Sequence, residues 1–199
     1  ERLTMKIGKI SITLALALLL ALFSALAQAE TFDVSIPEIP GNWNLTETDA
    51  LAALEKNGYP AESNPQSKYV VVDSVEKDGP VYLAYMFENN RLKQAQKTLK
   101  LKLSGEADYR LAVANIENAL SNQFSSDLKI IAKNENLQEG QLANQLKYLT
   151  DGRELIFLMY KFNRDYTFSV AIVYNNPNVV DINQRWALAL DRLGFTEQK

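Results

Sequence analysis

The sequence contains no cysteine and no histidine. Without them the chain can form neither a Ser-His-Asp nor a Cys-His catalytic arrangement, and it offers no imidazole or thiolate ligand for zinc. Histidine is also the most common general base near neutral pH. A catalyst built from this chain would therefore have to use carboxylates, lysine, tyrosine or serine. No disulfide bond can form, so the core must stabilise the fold. We expect no cofactor, no metal and no redox dependence of folding.

Glycine is sparse, with eight residues in 199, and none of them belongs to a glycine-rich phosphate loop. The apolar and charged fractions, 47% and 23%, are those of an ordinary globular protein. The formal net charge is −3 at pH 7. A mildly acidic chain is a poor candidate for general nucleic-acid binding, because that role needs basic surfaces that neutralise phosphates.

Residues 1–29 have the three-part pattern of a secretory signal peptide. A short basic region comes first, an apolar run follows over residues 10–26, and the run ends in the small-residue site Ala27-Gln28-Ala29. We expect cleavage between Ala29 and Glu30. The peptide is therefore left out of the domain.

Residues 1–4 lie ahead of Met5, which we interpret as the true start. An uncleaved membrane anchor is the alternative to cleavage, but the apolar run is at the short edge of what spans a bilayer. Without a cysteine at the cleavage site, no lipid can be attached there. We expect Gram-negative-type export to the periplasm or the outside, with no stable membrane anchor after cleavage.

Two hairpin-like stretches dominate the rest of the chain. In residues 68–103, runs rich in β-branched and aromatic residues are separated by Asp78-Gly79 and Asn89-Asn90, dipeptides typical of tight turns. Residues 150–174 repeat the pattern 73 positions later, beginning with Asp151-Gly152. The other matching pairs are Met86 and Met159, Phe87 and Tyr160, Asn90 and Asn163, and Arg91 and Arg164. The pattern indicates an internal repeat, although shared turn chemistry alone could produce two similar hairpins.

Three segments have helical periodicity. The first begins at Thr46, a good N-cap with Asp49 three residues on, and ends at Gly58. The second begins after Ser104-Gly105, and the last covers residues 180–193. Their apolar stripes are, in order, Ala50, Leu51, Ala53 and Leu54; Tyr109, Val113, Ile116, Leu120 and Phe124; and Ile182, Trp186, Ala189, Leu190 and Leu193.

These elements predict an α+β fold, with an antiparallel sheet built from two helix-plus-meander repeats and followed by the C-terminal helix. The predicted segments are an extended lead-in over 30–42 (an edge strand or a flexible arm), a single domain over 43–199, repeats over about 43–103 and 104–174, a polar loop over 61–67, a short strand over 127–132, and a loop or short helix over 134–144. We expect Trp43 to begin the packed domain.

The strand predicted over residues 91–103 carries five basic residues and no acidic one: Arg91, Lys93, Lys97, Lys100 and Lys102. Strict alternation puts the first three on one face and the last two on the other. An unbroken strand would place these first three charges on the same face as the leucines that follow, and a bulge near Thr98 would move them to opposite faces. This basic strip is a candidate binding site for an anionic partner. The alternative is that the lysines protect an edge or solvent-facing strand from pairing with another sheet.

Acidic and aromatic side chains supply two further candidate sites. Paired carboxylates could perform glycoside hydrolysis, but acids near strand ends and turns are more often solvated; the candidates are Asp73, Glu76, Asp151, Glu154 and Asp165. A ligand carrier would instead use aromatic residues, which more often form plain core: Tyr82, Tyr85, Phe87, Phe157, Tyr160 and Phe168.

A helix plus an antiparallel meander, used twice in an exported chain of this size, resembles the β-lactamase-inhibitor-protein-like architecture, which some small envelope-assembly lipoproteins share. The resemblance covers Trp43 to about Tyr174 and is carried by two Asp-Gly turns and two capped helices. This chain departs from those lipoproteins by lacking cysteines and a lipid anchor. The resemblance implies a concave sheet used for protein binding, and it assigns no site residue.

We therefore expect a non-enzymatic binding module, periplasmic or secreted, whose partner is another envelope or secreted protein. The alternatives are a carboxylate-based hydrolase acting on envelope polymers and a small-ligand or lipid carrier. An exposed flat or concave sheet would favour the module. Two carboxylates facing each other in a cleft would favour the enzyme, and a cavity between helices and sheet would favour the carrier. The sequence does not indicate an oligomeric state.

Overall fold

The computed structural model describes residues 32–65, 70–74, 80–124, 128–135, 141–179 and 181. The chain divides into two units, Glu1–Phe32 and Asp33–Lys199, and the described helices and strands belong to the second. Outside the described residues lie the predicted signal peptide with its cleavage residues Ala27, Ala29 and Glu30, the Asp78-Gly79 turn, and, except for residue 181, the predicted C-terminal helix with Trp186.

Two helices and eight strands form the described part of the chain. In chain order they are α1 (Glu47–Lys56), β1 (Ala61–Pro65), β2 (Val70–Ser74), β3 (Val81–Glu88), β4 (Arg91–Lys102), α2 (Glu106–Phe124), β5 (Lys129–Glu135), β6 (Gln141–Thr150), β7 (Leu155–Asn163) and β8 (Thr167–Asn175).

The strands form one sheet in the order β1-β2-β3-β4-β8-β7-β6-β5, and every neighbouring pair is antiparallel. The predicted α+β fold with an antiparallel sheet is confirmed. β4 and β8, the last strands before and after α2, pair with each other in the middle of the sheet.

α1 begins as its sequence predicts. The hydroxyl of Thr46 accepts the Asp49 N–H at 3.2 Å, and the Asp49 carboxylate accepts the Thr46 N–H at 3.1 Å, which completes a capping box. The hydrogen bonds that the Thr46 hydroxyl and the Thr46 N–H donate to the Asp49 carboxylate lower the pKa of that carboxyl. The helix ends at Lys56, and Gly58 beyond it takes a positive φ of 80° that a side chain would disfavour.

α2 packs on one side of the sheet, which we call the helix face; the other side is the open face. Tyr109 stacks on Phe162 of β7 with ring centroids 4.8 Å apart, and Phe124 lies 6.2 Å from Tyr174 of β8. The buried stripe of α2 matches the prediction except that Ala112 takes the place of Val113. α1 lies against β1 and β2.

Successive side chains of a strand point to opposite faces of the sheet. Alternate residues of the strands are therefore buried on the helix face. On the helix face, the strand side chains that are at most 2% exposed are Val72, Ser74, Leu83, Tyr85, Phe87, Leu92, Ala95, Lys97, Ile156, Leu158, Tyr160, Phe162, Phe168, Val170, Ile172 and Tyr174.

The predicted lead-in is packed against the helix face rather than forming a strand of the sheet. Val34, Ile36 and Ile39 are buried ahead of Trp43, so the packed part of the chain begins earlier than we expected. The hydroxyl of Tyr85 donates to the Pro37 carbonyl at 2.7 Å, and that of Tyr174 to the Val34 carbonyl at 3.2 Å. Two buried phenols therefore bond to the backbone of this segment.

Three local predictions differ from the structure. Residues 61–67, predicted as a polar loop, contain β1. The stretch 134–144, predicted as a loop or short helix, contains the end of β5 and the start of β6. The bulge in β4 lies at Lys93, where the register passes from Met86↔Gln94 to Phe87↔Leu92, and not near Thr98. The Asn89-Asn90 turn is confirmed, with φ of 52° and 59°.

Candidate functional site: a groove on the open face

The open face of β1–β4 is built by alternation along four paired strands. Asp73 of β2 lies opposite Ala84 of β3, and Ala84 lies opposite Gln96 of β4. Directly opposed residues of antiparallel strands project to the same side, so these three form a row across the open face together with Glu62 of β1, which lies opposite Asp73. The neighbouring rows are Asn64, Val71, Met86 and Gln94, and Tyr82 with Thr98.

These side chains line a groove of about 580 Å³. Its lining residues are Asn64, Pro65, Val71, Asp73, Tyr82, Ala84, Met86, Gln94 and Gln96. The small side chain of Ala84 lies at the centre of this set, because its row has a neighbouring row on each side. The groove therefore lies over the smallest side chain among its lining residues.

Asp73 organises the polar side chains of the groove. Its carboxylate accepts a hydrogen bond from Asn64 Nδ2 at 3.0 Å and another from the Tyr82 hydroxyl at 2.8 Å. Burial, and then the bond to this carboxylate, raises the pKa of the Tyr82 phenol well above its ordinary value. The phenol consequently stays protonated and keeps donating to Asp73.

Two amides border the groove on β4. Gln96 Nε2 donates to the Thr98 hydroxyl at 2.9 Å, and Gln94 Nε2 donates to Asn175 Oδ1 at 2.8 Å. Gln94 is 4% exposed, whereas Gln96 is half-buried. Gln96 can therefore offer its amide oxygen to a bound molecule, while Gln94 helps to join β4 to β8.

The five residues of the basic strip do not share one surface. Arg91 lies opposite Glu88 on the open face, and Lys93 is the extra residue of the bulge, in an ion pair with Glu88. Lys97 lies opposite Leu83 on the helix face, 2% exposed. The expected grouping of the first three residues on one face is therefore wrong, because the bulge at Lys93 reverses the alternation. Lys100 and Lys102 are exposed on the open face, opposite Ser169 and Thr167 of β8.

Edge protection does not explain these lysines. β4 is paired on both sides, with β3 and with β8, so it has no free edge to protect. Lys102 donates a hydrogen bond to the backbone carbonyl of Asp165. Arg91, Lys100 and Lys102 are the members of the strip that solvent or a partner reaches on the open face.

Sequence reasoning missed a second buried lysine. Lys147 of β6 is 8% exposed, and its ammonium lies 2.6 Å from the Glu117 carboxylate of α2 and 5.8 Å from the centre of the Tyr160 ring. Glu117 lies 30 residues before Lys147 in the chain, so no local sequence pattern predicts this ion pair. Lys97 and Lys147 both belong to the helix face, so both serve the fold.

Of the described candidate carboxylates other than Asp73, Asp151 and Asp165 are held by hydrogen bonds within their own turns, and Glu154 is held by Trp43. Burial opposes ionisation of Asp151, but the N–H groups of Glu154 and Arg153 outweigh it and lower its pKa. Burial raises the pKa of Glu154, against the hydrogen bond that Trp43 Nε1 donates at 2.9 Å. Asp165 accepts from Thr167, and Glu76 lies outside the described residues. Only Asp73, of the four described, lines the groove.

The aromatic candidates are core with one exception. Tyr85, Phe87, Tyr160 and Phe168 are buried on the helix face, as expected for plain core. Phe157 is 7% exposed on the open face, in a buried cluster over β6–β8 that consists of Leu146, Tyr148, Phe157, Ala171 and Val173. Tyr82 alone is half-buried and lines the groove. The open face therefore carries buried apolar and aromatic side chains over β6–β8 and a groove over β1–β4.

Comparison of the chain with protein-family models finds no matching family, and comparison with curated proteins finds no match. In the part of the chain that the structure describes, neither helix combines the length and the apolar character needed to cross a bilayer.

Proposed function

We propose that this chain is an exported, non-enzymatic binding module of the bacterial envelope, and that the groove on the open face of β1–β4 holds its partner, another protein. The observation that supports this proposal is the position of the groove. It lies on the outside of the sheet, whereas the opposite face of the same strands is closed core. An antiparallel sheet covered on one face leaves the other for solvent or a partner.

The side chains of the groove suit a protein surface. Tyr82 and Met86 offer an aromatic ring and a thioether, which are enriched in the cores of protein interfaces. Methionine also adapts its shape to different neighbours. Asn64 and Gln96 supply amide groups at the border of this apolar centre. The combination provides contact area together with directional hydrogen bonds.

The exposed basic residues add a charge pattern to the same face. Lys100 and Lys102 lie four and six residues beyond Gln96 on β4, about 13 and 20 Å along the strand at the usual rise per residue. They favour a partner with an acidic patch at that distance from the groove. Charges placed in this way steer association and make it sensitive to salt.

We also propose that the two halves are repeats of one unit. Each half consists of a helix followed by four strands, and the halves meet where β4 pairs with β8. The 73-residue offset carries Val81–Glu88 of β3 onto residues 154–161, nearly all within β7, and residues 94–102 of β4 onto β8. The resemblance to the β-lactamase-inhibitor-protein-like architecture rests on this arrangement of elements.

The proposed repeat accounts for a difference between the two halves of the open face among the described residues. At the same offset, Ala84 corresponds to Phe157 and Asp73 corresponds to Leu146. Phe157 and Leu146 belong to the buried cluster on the open face of β6–β8. A large ring and a branched apolar chain thus occupy the positions that a methyl group and a carboxylate occupy in the groove.

Ala84→Phe tests the proposal by giving the first half the side chain of the second. We expect the ring to fill the groove and to reduce recovery of the partner from a periplasmic extract at least about tenfold, the loss of one well-packed contact. The matched control is Ala114→Phe, which places the same ring on the exposed surface of α2.

Both variants should keep the circular dichroism spectrum of the parent protein. Recovery of the same partner by the parent and by Ala114→Phe, together with its loss from Ala84→Phe, supports the groove as the binding site. Equal recovery by all three proteins would remove the groove from consideration.

A further inference from the structure

The groove carries a single charged side chain, that of Asp73, among its lining residues. The ion pairs found among the described residues involve other carboxylates, and no lysine or arginine in that part of the chain lies within ion-pair distance of Asp73. Its two contacts come from neutral donors, the Asn64 amide and the Tyr82 hydroxyl. Among the described residues, the negative charge of Asp73 is therefore held in place without a cationic partner.

The two neutral donors leave acceptor capacity on the carboxylate. Asn64 donates to Oδ1 of Asp73, and Tyr82 donates to Oδ2 of Asp73. An ionised carboxylate offers about four lone-pair positions. Each oxygen can still accept a further hydrogen bond. Because the phenol of Tyr82 stays protonated, it remains a neutral donor to Asp73 and adds no second negative charge to the groove.

The walls around Asp73 match the remainder of a basic side chain. Val71, Ala84 and Met86 present apolar surface in the neighbouring positions of the sheet, which suits the aliphatic stem of lysine or arginine. Tyr82 brings an aromatic ring to the same groove, and rings attract cations placed over their faces. The amide oxygen of Gln96 borders the site and can accept a further N–H.

We propose that the groove binds a basic side chain, lysine or arginine, of the partner protein, with its cation on the Asp73 carboxylate. This inference rests on the proposed function, and it adds the chemistry of the group that enters the groove. The partner then presents a basic residue to Asp73 and an acidic patch to Lys100 and Lys102 further along β4.

Short peptides test this chemistry without the natural partner. The probes are acetylated, amidated pentapeptides with a central arginine, lysine or citrulline between glycines; citrulline keeps the shape of arginine but has no charge. At millimolar concentration, we expect the arginine and lysine peptides to shift the backbone amide resonances of β2–β4 in ¹H–¹⁵N spectra. The citrulline peptide should leave them unchanged.

Asp73→Asn should abolish these shifts, because it removes the charge and keeps the size of the side chain. Ala84→Phe should abolish them as well, since it fills the groove while leaving Asp73 in place. It therefore serves as a second test if Asp73→Asn folds poorly. Equal shifts by the citrulline peptide, shifts that persist in either variant, or no shift with any peptide would overturn the proposal.

Recovery of the natural partner by the two variants distinguishes a failure of this inference from a failure of the proposed function. Loss of the partner from Ala84→Phe with full retention by Asp73→Asn would leave the groove as the binding site and refute the basic side chain. Retention by both variants would refute the binding site itself. Loss from both, with normal binding by Ala114→Phe, is the result we expect.

Discussion

Lys97 Nζ and Asp33 Oδ2 lie 2.8 Å apart across 64 residues of sequence, and the lysine side chain is 2% exposed while the aspartate is 67% exposed. The lysine also donates to the Ser35 carbonyl at 3.0 Å. An ammonium group withdrawn from water in this way is costly unless it is paired. The ion pair therefore fastens the chain around Asp33 to the middle of the sheet.

Removing the acid should harm the fold more than removing the base. Asp33→Ala leaves the Lys97 charge buried with one carbonyl partner, and we expect a loss of about 1–3 kcal/mol in the free energy of unfolding, at the low end because Asp33 is largely solvated. Lys97→Met removes the charge and keeps the packing, so it should cost less. Urea denaturation measures both variants. A greater loss for Lys97→Met would contradict the expected order.

The same pair predicts a pH dependence. Burial opposes ionisation of Asp33, but hydrogen bonds from Lys97 and Ser35 outweigh it and hold its pKa below the ordinary 3.8. A carboxyl whose pKa is lower in the folded state stabilises the protein above its unfolded pKa. That contribution is lost as the pH falls through the folded value.

Asp33→Asn isolates this contribution, since Asp49, Asp151 and Asp165 also have lowered pKa values. Between about pH 5 and pH 2, its free energy of unfolding should fall less steeply than that of the parent protein. Urea midpoints across this range measure the difference. Parallel curves would show that Asp33 titrates alike in the folded and unfolded states.

The Lys147–Glu117 pair should behave as a buried ion pair. Glu117→Ala leaves Lys147 on the helix face without its carboxylate, at an expected cost of about 1–3 kcal/mol. The matched control is Glu106→Ala, which removes the acid of the exposed Arg110–Glu106 pair on the same helix. That change should cost less than about 0.5 kcal/mol. Equal losses from the two variants in urea denaturation would count against a structural role for Lys147.

Phe157 should be a major contributor to the closed part of the open face. Phe157→Ala removes a ring that is 7% exposed and packed beside Tyr148, with centroids 4.9 Å apart. We expect a loss of about 3–5 kcal/mol in the free energy of unfolding, measured by thermal or urea denaturation. A loss below about 1 kcal/mol would indicate that the cluster contributes little to the fold.

Charge reversal on β4 tests the acidic patch expected on the partner. Lys100→Glu and Lys102→Glu together should weaken binding and reduce its dependence on salt, because favourable long-range attraction is lost. The matched control reverses Lys129 and Lys133, two exposed lysines of β5. Binding by the first variant with an unchanged salt dependence would return Lys100 and Lys102 to the role of solvated side chains.

Features set by neighbouring residues could be predicted from the sequence. The capping box at Thr46 and the left-handed turn at Asn89-Asn90 are encoded within four residues. The hairpin β3–β4 also follows from local apolar patterning. β1 was missed because its sequence, AESNP, has low intrinsic strand preference. It becomes a strand by pairing with β2.

The site was only partly predictable, because strand pairing and not local sequence brings its residues together. Asp73 was recognised as an available carboxylate, but its position beside Tyr82 and Asn64 depends on strand register. The burial of Lys97 could not be predicted, because a bulge of one residue decides which face each lysine occupies. Sequence patterns indicate alternation, but they do not indicate where alternation is interrupted.

The pairing of β4 with β8 has a kinetic consequence. Every other pair in the sheet joins strands that follow one another in the chain, whereas Gln94 and Asn175, which bond across this central pair, are separated by 81 residues. Closing such a long loop costs entropy before the contact contributes any stability. The two sets of hairpins can therefore form early and separately, while the rate at which the whole sheet appears is governed by their encounter along this one pair of strands.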